Sequence, residues 1–130
     1  MGDSHKSITI LMADDDADDC LLAREALANT DLPHQLDVVS DGVLLIDYLY
    51  RRNRYEALKG SPLPGLILLD LNMPYKGGLD VLREIKADPH LRRIPVVILT
   101  SSETEADVYD SYDMGASSFV TKSVTMTSLV

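Results

Sequence analysis

Apolar residues in this chain fall into two kinds of run that take turns. The first kind is short and nearly continuous: "ITILMA" (8–13), "GLILLD" (65–70) and "IPVVILT" (94–100), joined by the less regular "HQLDVVS" (34–40) and "SSFVTK" (117–122). Uninterrupted aliphatic stretches of this length predict strands covered on both faces, as in a parallel sheet. The second kind has helical spacing. Between Ala17 and Ala28, Cys20, Ala23 and Leu27 fall on one face, and in "VLLIDYLYRR" (43–52) Val43, Ile46, Leu49 and Tyr50 are predicted to share one. A third helix is predicted over 79–87, stopped by Asp88-Pro89, and a fourth over 103–114 with Gly115 as a left-handed cap. "NRYEALKGSPLP" (53–64) reads as a polar connector, longer than most. Strict alternation of strand and helix implies an α/β fold with a parallel sheet and right-handed crossovers.

The ends of the strands carry the chemistry. The first strand ends at Asp14-Asp15, the third at Asp70 and the fourth at Thr100, while the fifth runs into Lys122. In a parallel sheet these ends open onto one edge, where α/β proteins bind ligands. The charge run "DDDADD" (14–19) divides by position. Asp16 suits an N-cap, and Asp18 and Asp19 suit the first turn of a helix by its dipole. Asp14 and Asp15 remain, and with Asp70 they form an acid cluster. Two like charges about 4 Å apart repel by roughly 4 kcal/mol at an effective dielectric near 20, so the cluster calls for a cation. Hard oxygen donors without His or Cys suit Mg²⁺. His5, His34 and His90 are scattered and offer no metal-ligand spacing.

Composition narrows the setting. The 130 residues fit one domain, 1–130, with a flexible start at 1–6 and an irregular or truncated end at 124–130. A net charge of −9 argues against nucleic-acid and anionic-membrane surfaces as partners. Cys20 is the only cysteine, so no internal disulfide forms and a reducing cytoplasm fits. It reads as a small buried hydrophobe rather than a nucleophile. No apolar run approaches the roughly 20 residues that span a bilayer. "MGDSHKS" lacks a signal-peptide core, and Asp3 after Gly2 speaks against myristoylation.

As a set, "ILMADDD", "LILLDLNMPYKGG", "PVVILTSS" and "GASSFVTK" resemble the receiver domains of two-component response regulators, in order and across nearly the whole chain. "RRNRY" with its connector, and "DPHLRRIPVVILTSS", resemble more narrowly the single-domain regulators paired with bacterial phytochrome-type histidine kinases. The resemblance implies a flavodoxin-like (βα)5 fold: five parallel strands in order 2-1-3-4-5, with helices on both faces. It implies that Asp70 is the phosphoacceptor, a carboxylate nucleophile fed by a kinase histidine. Asp14 and Asp15 match the acidic pair that binds Mg²⁺, Asp15 directly and Asp14 mostly through water. Asp70 and the carbonyl of Asn72 would be further ligands. Thr100 matches the switch hydroxyl, Lys122 the ammonium that pairs with the phosphoryl group, and Phe119 the rotating aromatic. The side chains of Asn72 and Ser102 would tune the lifetime of the phosphorylated state.

Departures accompany the resemblance. Ser123 stands where the family usually has proline, and Val124–Val130 is too short for the usual fifth helix, which is expected to be incomplete. That would leave apolar surface beside the fifth strand and fourth helix, and a homodimer through that side is expected. The function implied is a phosphorylation-dependent signalling switch, with a sensor histidine kinase and a downstream protein as partners. The protein would not be an enzyme beyond assisting its own phosphorylation and dephosphorylation. Two alternatives stand beside it. A haloacid-dehalogenase-type phosphatase also uses an Asp nucleophile with Mg²⁺, but wants a second Asp where this chain has Asn72. A phosphorylation-independent receiver-like binding module is opposed by the intact Asp14, Asp15, Asp70, Thr100 and Lys122.

Overall fold

The computed structural model describes residues 7–31, 33–70, 73, 76–100 and 118–121, with backbone alone at 100 and 118–121. Five strands, β1 (Ile8–Ala13), β2 (His34–Val39), β3 (Leu66–Asp70), β4 (Val96–Thr100) and β5 (Ser118–Thr121), form one sheet in the order β2-β1-β3-β4-β5. Every pairing is parallel, as the alternation requires. β4 begins two residues later than the apolar run because the Ile94 N–H is taken by Leu91 O in a turn and Pro95 has no N–H to give.

Helices α1 (Ala17–Ala28), α2 (Gly42–Tyr50) and α3 (Gly78–Ala87) cover the sheet. Alternate strand residues feed two cores. Leu11, Ala13, Ile67, Leu69, Val96 and Ile98 pack on one face against α2 and α3. Ile10, Met12, Leu68 and Leu99 pack on the other against Ala23 and Leu27 of α1. The predicted face of α1 is therefore right: Ala23 and Leu27 are buried and Cys20 is half-buried.

The predicted face of α2 needs correction. Val43 and Tyr50 are 47% and 37% exposed, and the buried side is Gly42, Leu45, Ile46, Tyr48 and Leu49. This helix is apolar nearly all round, so the direction it faces is decided by what it packs on rather than by its own period. The connector also holds more structure than its polarity suggests. Asn53–Leu58 is a 3₁₀ helix whose Tyr55 stacks edge-on against Tyr48, ring centroids 5.2 Å apart. Arg51, left-handed at φ 57°, ends α2. Its guanidinium donates to the carbonyls of Tyr48 (2.8 Å), Pro62 (2.9 Å) and Ser61 (3.3 Å), tying the connector to the helix.

The fourth helix over 103–114 with its Gly115 cap, the Lys122–Ser123 bond and the incomplete fifth helix lie outside the described residues. Among the described residues, no helix is long and apolar enough to cross a membrane.

Candidate metal and phosphoacceptor site

Sheet register brings the acids together. Ala13 of β1 pairs with Leu69 of β3, so one step further along each strand sets Asp14 beside Asp70. Both are buried, at 2% and 3% exposure. Asp15, exposed, completes the group: one carboxylate oxygen from each of Asp14, Asp15 and Asp70 lies within 4.8 Å of the other two. Burial at a strand end means that two of these carboxylates are poorly screened by water, so their mutual repulsion is felt strongly.

Local hydrogen bonds hold the arrangement. The Asp14 N–H donates to Val39 O at 3.0 Å, extending the β1–β2 ladder past the strand. Asp14 Oδ1 accepts the Asp16 N–H at 2.9 Å. Asp16 in turn caps α1, accepting from the N–H groups of Asp18 (2.8 Å) and Asp19 (3.3 Å). The charge run divides as its positions predict: cap and first turn on one side, site on the other. Cys20 Sγ donates to Asp14 O at 3.8 Å. Burial first, and then the negative charge of Asp14, push its thiol up to about 11, which makes it a poor nucleophile at neutral pH.

Three hard carboxylate donors, two buried and one open to solvent, fit an oxygen-loving divalent cation that keeps some of its water. A groove of about 550 Å³ opens beside them, walled by Cys20, Leu21, Val38 and Ser40. A roomier cavity, about 700 Å³, lies instead at the starts of the strands, around Ile8, Gly65 and Arg51. Among the described residues that edge holds no cluster of three acids, and ligands of open α/β sheets sit at the other one.

Thr100 is the last residue of β4, and the backbone of Phe119 lies within β5. Thr100 pairs in register with Thr121, the residue before Lys122. Asn72, Ser102 and Lys122 lie outside the described residues. Two residues near the site escaped the sequence reading. Ser40, which lines the groove, reads only as the end of the second strand run, and Gly42 only as a residue leading into a helix. Only the pairing "SDG" after a strand hints at either.

Comparison with known proteins agrees with this geometry. The response regulator receiver domain family matches residues 10–130. Response regulator Rcp1 of Synechocystis sp. is 42% identical over 121 residues, spanning 93% of this chain and 80% of its own. The Mn²⁺-bound form of Rcp1 superimposes with a TM-score of 0.82 over 88% of this chain and 80% of that one, at 42% identity. The phosphorylated cyanobacterial phytochrome response regulator RcpA gives 0.85, also at 42% identity, over 95% and 86%. The family match lends no support to the phosphatase alternative. With its strand order, its acid cluster and these relatives in agreement, the chain belongs to the response regulator receiver domain family.

Proposed function

We propose that this protein is a signalling switch in which Asp70 accepts a phosphoryl group from the histidine of a sensor kinase, with Asp14, Asp15, Asp70 itself and the carbonyl of Asn72 holding Mg²⁺. The observation that carries this is the convergence of Asp14, Asp15 and Asp70 at the carboxyl edge of the sheet. Phosphoryl transfer is mostly positioning and charge neutralisation. Asp70, held rigidly at the end of β3, presents a carboxylate oxygen to the incoming phosphorus, while Asp14 and Asp15 supply the remaining negative charge of the cation site. Bound Mg²⁺ would offset the charge of the phosphoryl oxygens. A Mn²⁺-bound relative supports a divalent cation here.

In the same reading Thr100 and Lys122 contact the phosphoryl group, Phe119 responds to it, and Asn72 and Ser102 set its lifetime. The kinase is phytochrome-type, by likeness to the phytochrome response regulator RcpA. The signal leaves by protein contact, in the cytoplasm, without nucleic acid or membrane. The protein assists its own phosphorylation and dephosphorylation and otherwise has no catalytic role. Self-association through the side of β5, an edge strand of the sheet, belongs to this reading too. Light scattering at several concentrations tests it, and a monomer throughout would remove it.

Acetyl phosphate with Mg²⁺ tests the central claim. Intact mass should show one added phosphoryl group that hydroxylamine removes, because an acyl phosphate is labile where a phosphoserine is not. Asp70→Asn should abolish the adduct; its survival in that variant would refute the site. Thr100→Ala should still be phosphorylated and fail only in the conformational response.

A further inference from the structure

We infer that the open edge of β2 is a docking site for an extended acidic segment of a partner protein, which adds a strand to the sheet between Arg24 of α1 and Arg54 of the 3₁₀ helix. β2 is an outer strand, paired on one side only. The Asp14 N–H donates to Val39 O and the Ile8 N–H to Pro33 O, so the odd-numbered positions of β2 turn their backbone groups toward β1. In a parallel ladder the positions between them point the opposite way, which leaves the N–H and C=O of Leu36 and Val38 facing outward. Among the described residues no other segment takes them. Proteins blunt such edges with lysine, proline or a bulge. β2 has none of these: its sequence is "HQLDVV" and its register with β1 is unbroken. Its one carboxylate, Asp37, is already engaged, accepting the Tyr48 hydroxyl at 2.6 Å and Gln35 Nε2 at 2.9 Å.

A groove of about 410 Å³ opens at this edge, with walls from both faces of the sheet. Leu36 and Val38 pack on the α1 side, where Arg24 forms one wall. Tyr55 and Leu58 of the 3₁₀ helix pack on the other core, and Arg54 beside them forms the second wall. Both arginines are exposed, and among the described residues neither forms an ion pair. On a chain of net charge −9, an unpaired arginine on each wall makes the groove complementary to acids. Successive side chains of an added strand point to opposite faces. Neighbouring acids of the incoming segment therefore reach Arg24 and Arg54 in turn, while its main chain bonds to Leu36 and Val38. The β2 strand of a second copy is the worse occupant, because it would set arginine against arginine across the new seam. Asp14, Asp15 and Asp70 do not line this groove, so the inference stands apart from the function proposed above.

The test uses a fluorescein-labelled peptide, VEEVEEV, whose acids face both sides of a strand. Fluorescence anisotropy should show saturable binding that weakens with added salt. Arg24→Glu and Arg54→Glu, at exposed positions where folding is not at stake, should each weaken it by about fivefold. The lysine counterpart VKKVKKV should bind at least about tenfold more weakly. Amide hydrogen exchange then locates the peptide. The N–H groups of Leu36 and Val38 should exchange fast in the free protein and about tenfold more slowly at roughly ten times Kd, by mass action. The Asp37 N–H, which already faces β1, should change little. Absence of binding would overturn the inference. So would binding that leaves Leu36 and Val38 unprotected, or full affinity in either arginine variant. Protection of these two amides that rises with protein concentration, without peptide, would give the edge to a second copy and overturn it as well.

Discussion

Asp15 and Asp18 carry the same carboxyl group three residues apart, yet only Asp15 reaches the other acids. Asp18 sits in the first turn of α1, where its charge suits the helix dipole. Asp15→Asn should therefore raise the metal-free Tm, by removing one of three repelling charges, and remove most of the gain on adding Mg²⁺. In the wild type that gain is about 2.7 kcal/mol at roughly a hundred times Kd, by mass action. Asp18→Asn should leave the Mg²⁺ response intact. Thermal melts with and without Mg²⁺ decide it, and equal responses in the two variants would contradict the cluster. Cys20 gives a prediction in pH. Its thiol ordinarily titrates near 9.0 and is raised to about 11 in the fold. The native state thus holds its proton to higher pH than the unfolded chain, so this group's contribution is complete below pH 9 and is lost as pH rises through 11. Since the thiolate is the nucleophile, iodoacetamide at pH 8 to 9 should label the native protein far more slowly than the urea-unfolded chain, and the gap should close toward pH 11. Equal labelling rates at pH 9 would contradict the burial of this thiol.

Among the elements, the end of α2 is where a single side chain holds most. Arg51 is buried, lies 5.1 Å over the Tyr48 ring and donates to three carbonyls of two separate segments. Truncation strands those carbonyls, and hydrogen bonds to charged groups contribute about 1.5–3 kcal/mol each. Arg51→Ala should cost at least about 2 kcal/mol in urea unfolding, and Arg51→Lys should recover little, because an ammonium lacks the planar fork. A loss under about 0.5 kcal/mol for Arg51→Ala, the usual range for surface changes, would refute the clamp. This corner was also the least legible part of the fold. α1 could be read because its apolar residues occupy one stripe and its acids the cap. α2 could not, since Leu44, Leu45, Ile46 and Leu49 surround its axis and leave Val43 and Tyr50 as equally plausible core. The 3₁₀ helix was hidden for a different reason: Tyr55 and Leu58 acquire their partners only from tertiary structure. The acids of the site were legible because each ends an aliphatic strand.

In the molecule as a whole, the crossing from β1 past β2 to β3 has a kinetic consequence. Asp14 and Asp70 are neighbours only because β3 pairs with β1 on the side away from β2, and positions 14 and 70 lie far apart along the chain. A polypeptide in which β1 and β2 have paired holds two of the three acids and no cation site. Non-local parallel pairing is among the slower steps of folding, since loop-closure entropy is lost before the contact is gained. The cation should therefore bind after the rate-limiting barrier, once β3 is home. Interactions absent from the transition state act on unfolding alone. Stopped-flow measurements should show Mg²⁺ slowing the unfolding arm of the chevron while the folding arm stays where it was. A faster folding arm would mean that the acids meet before the sheet is built.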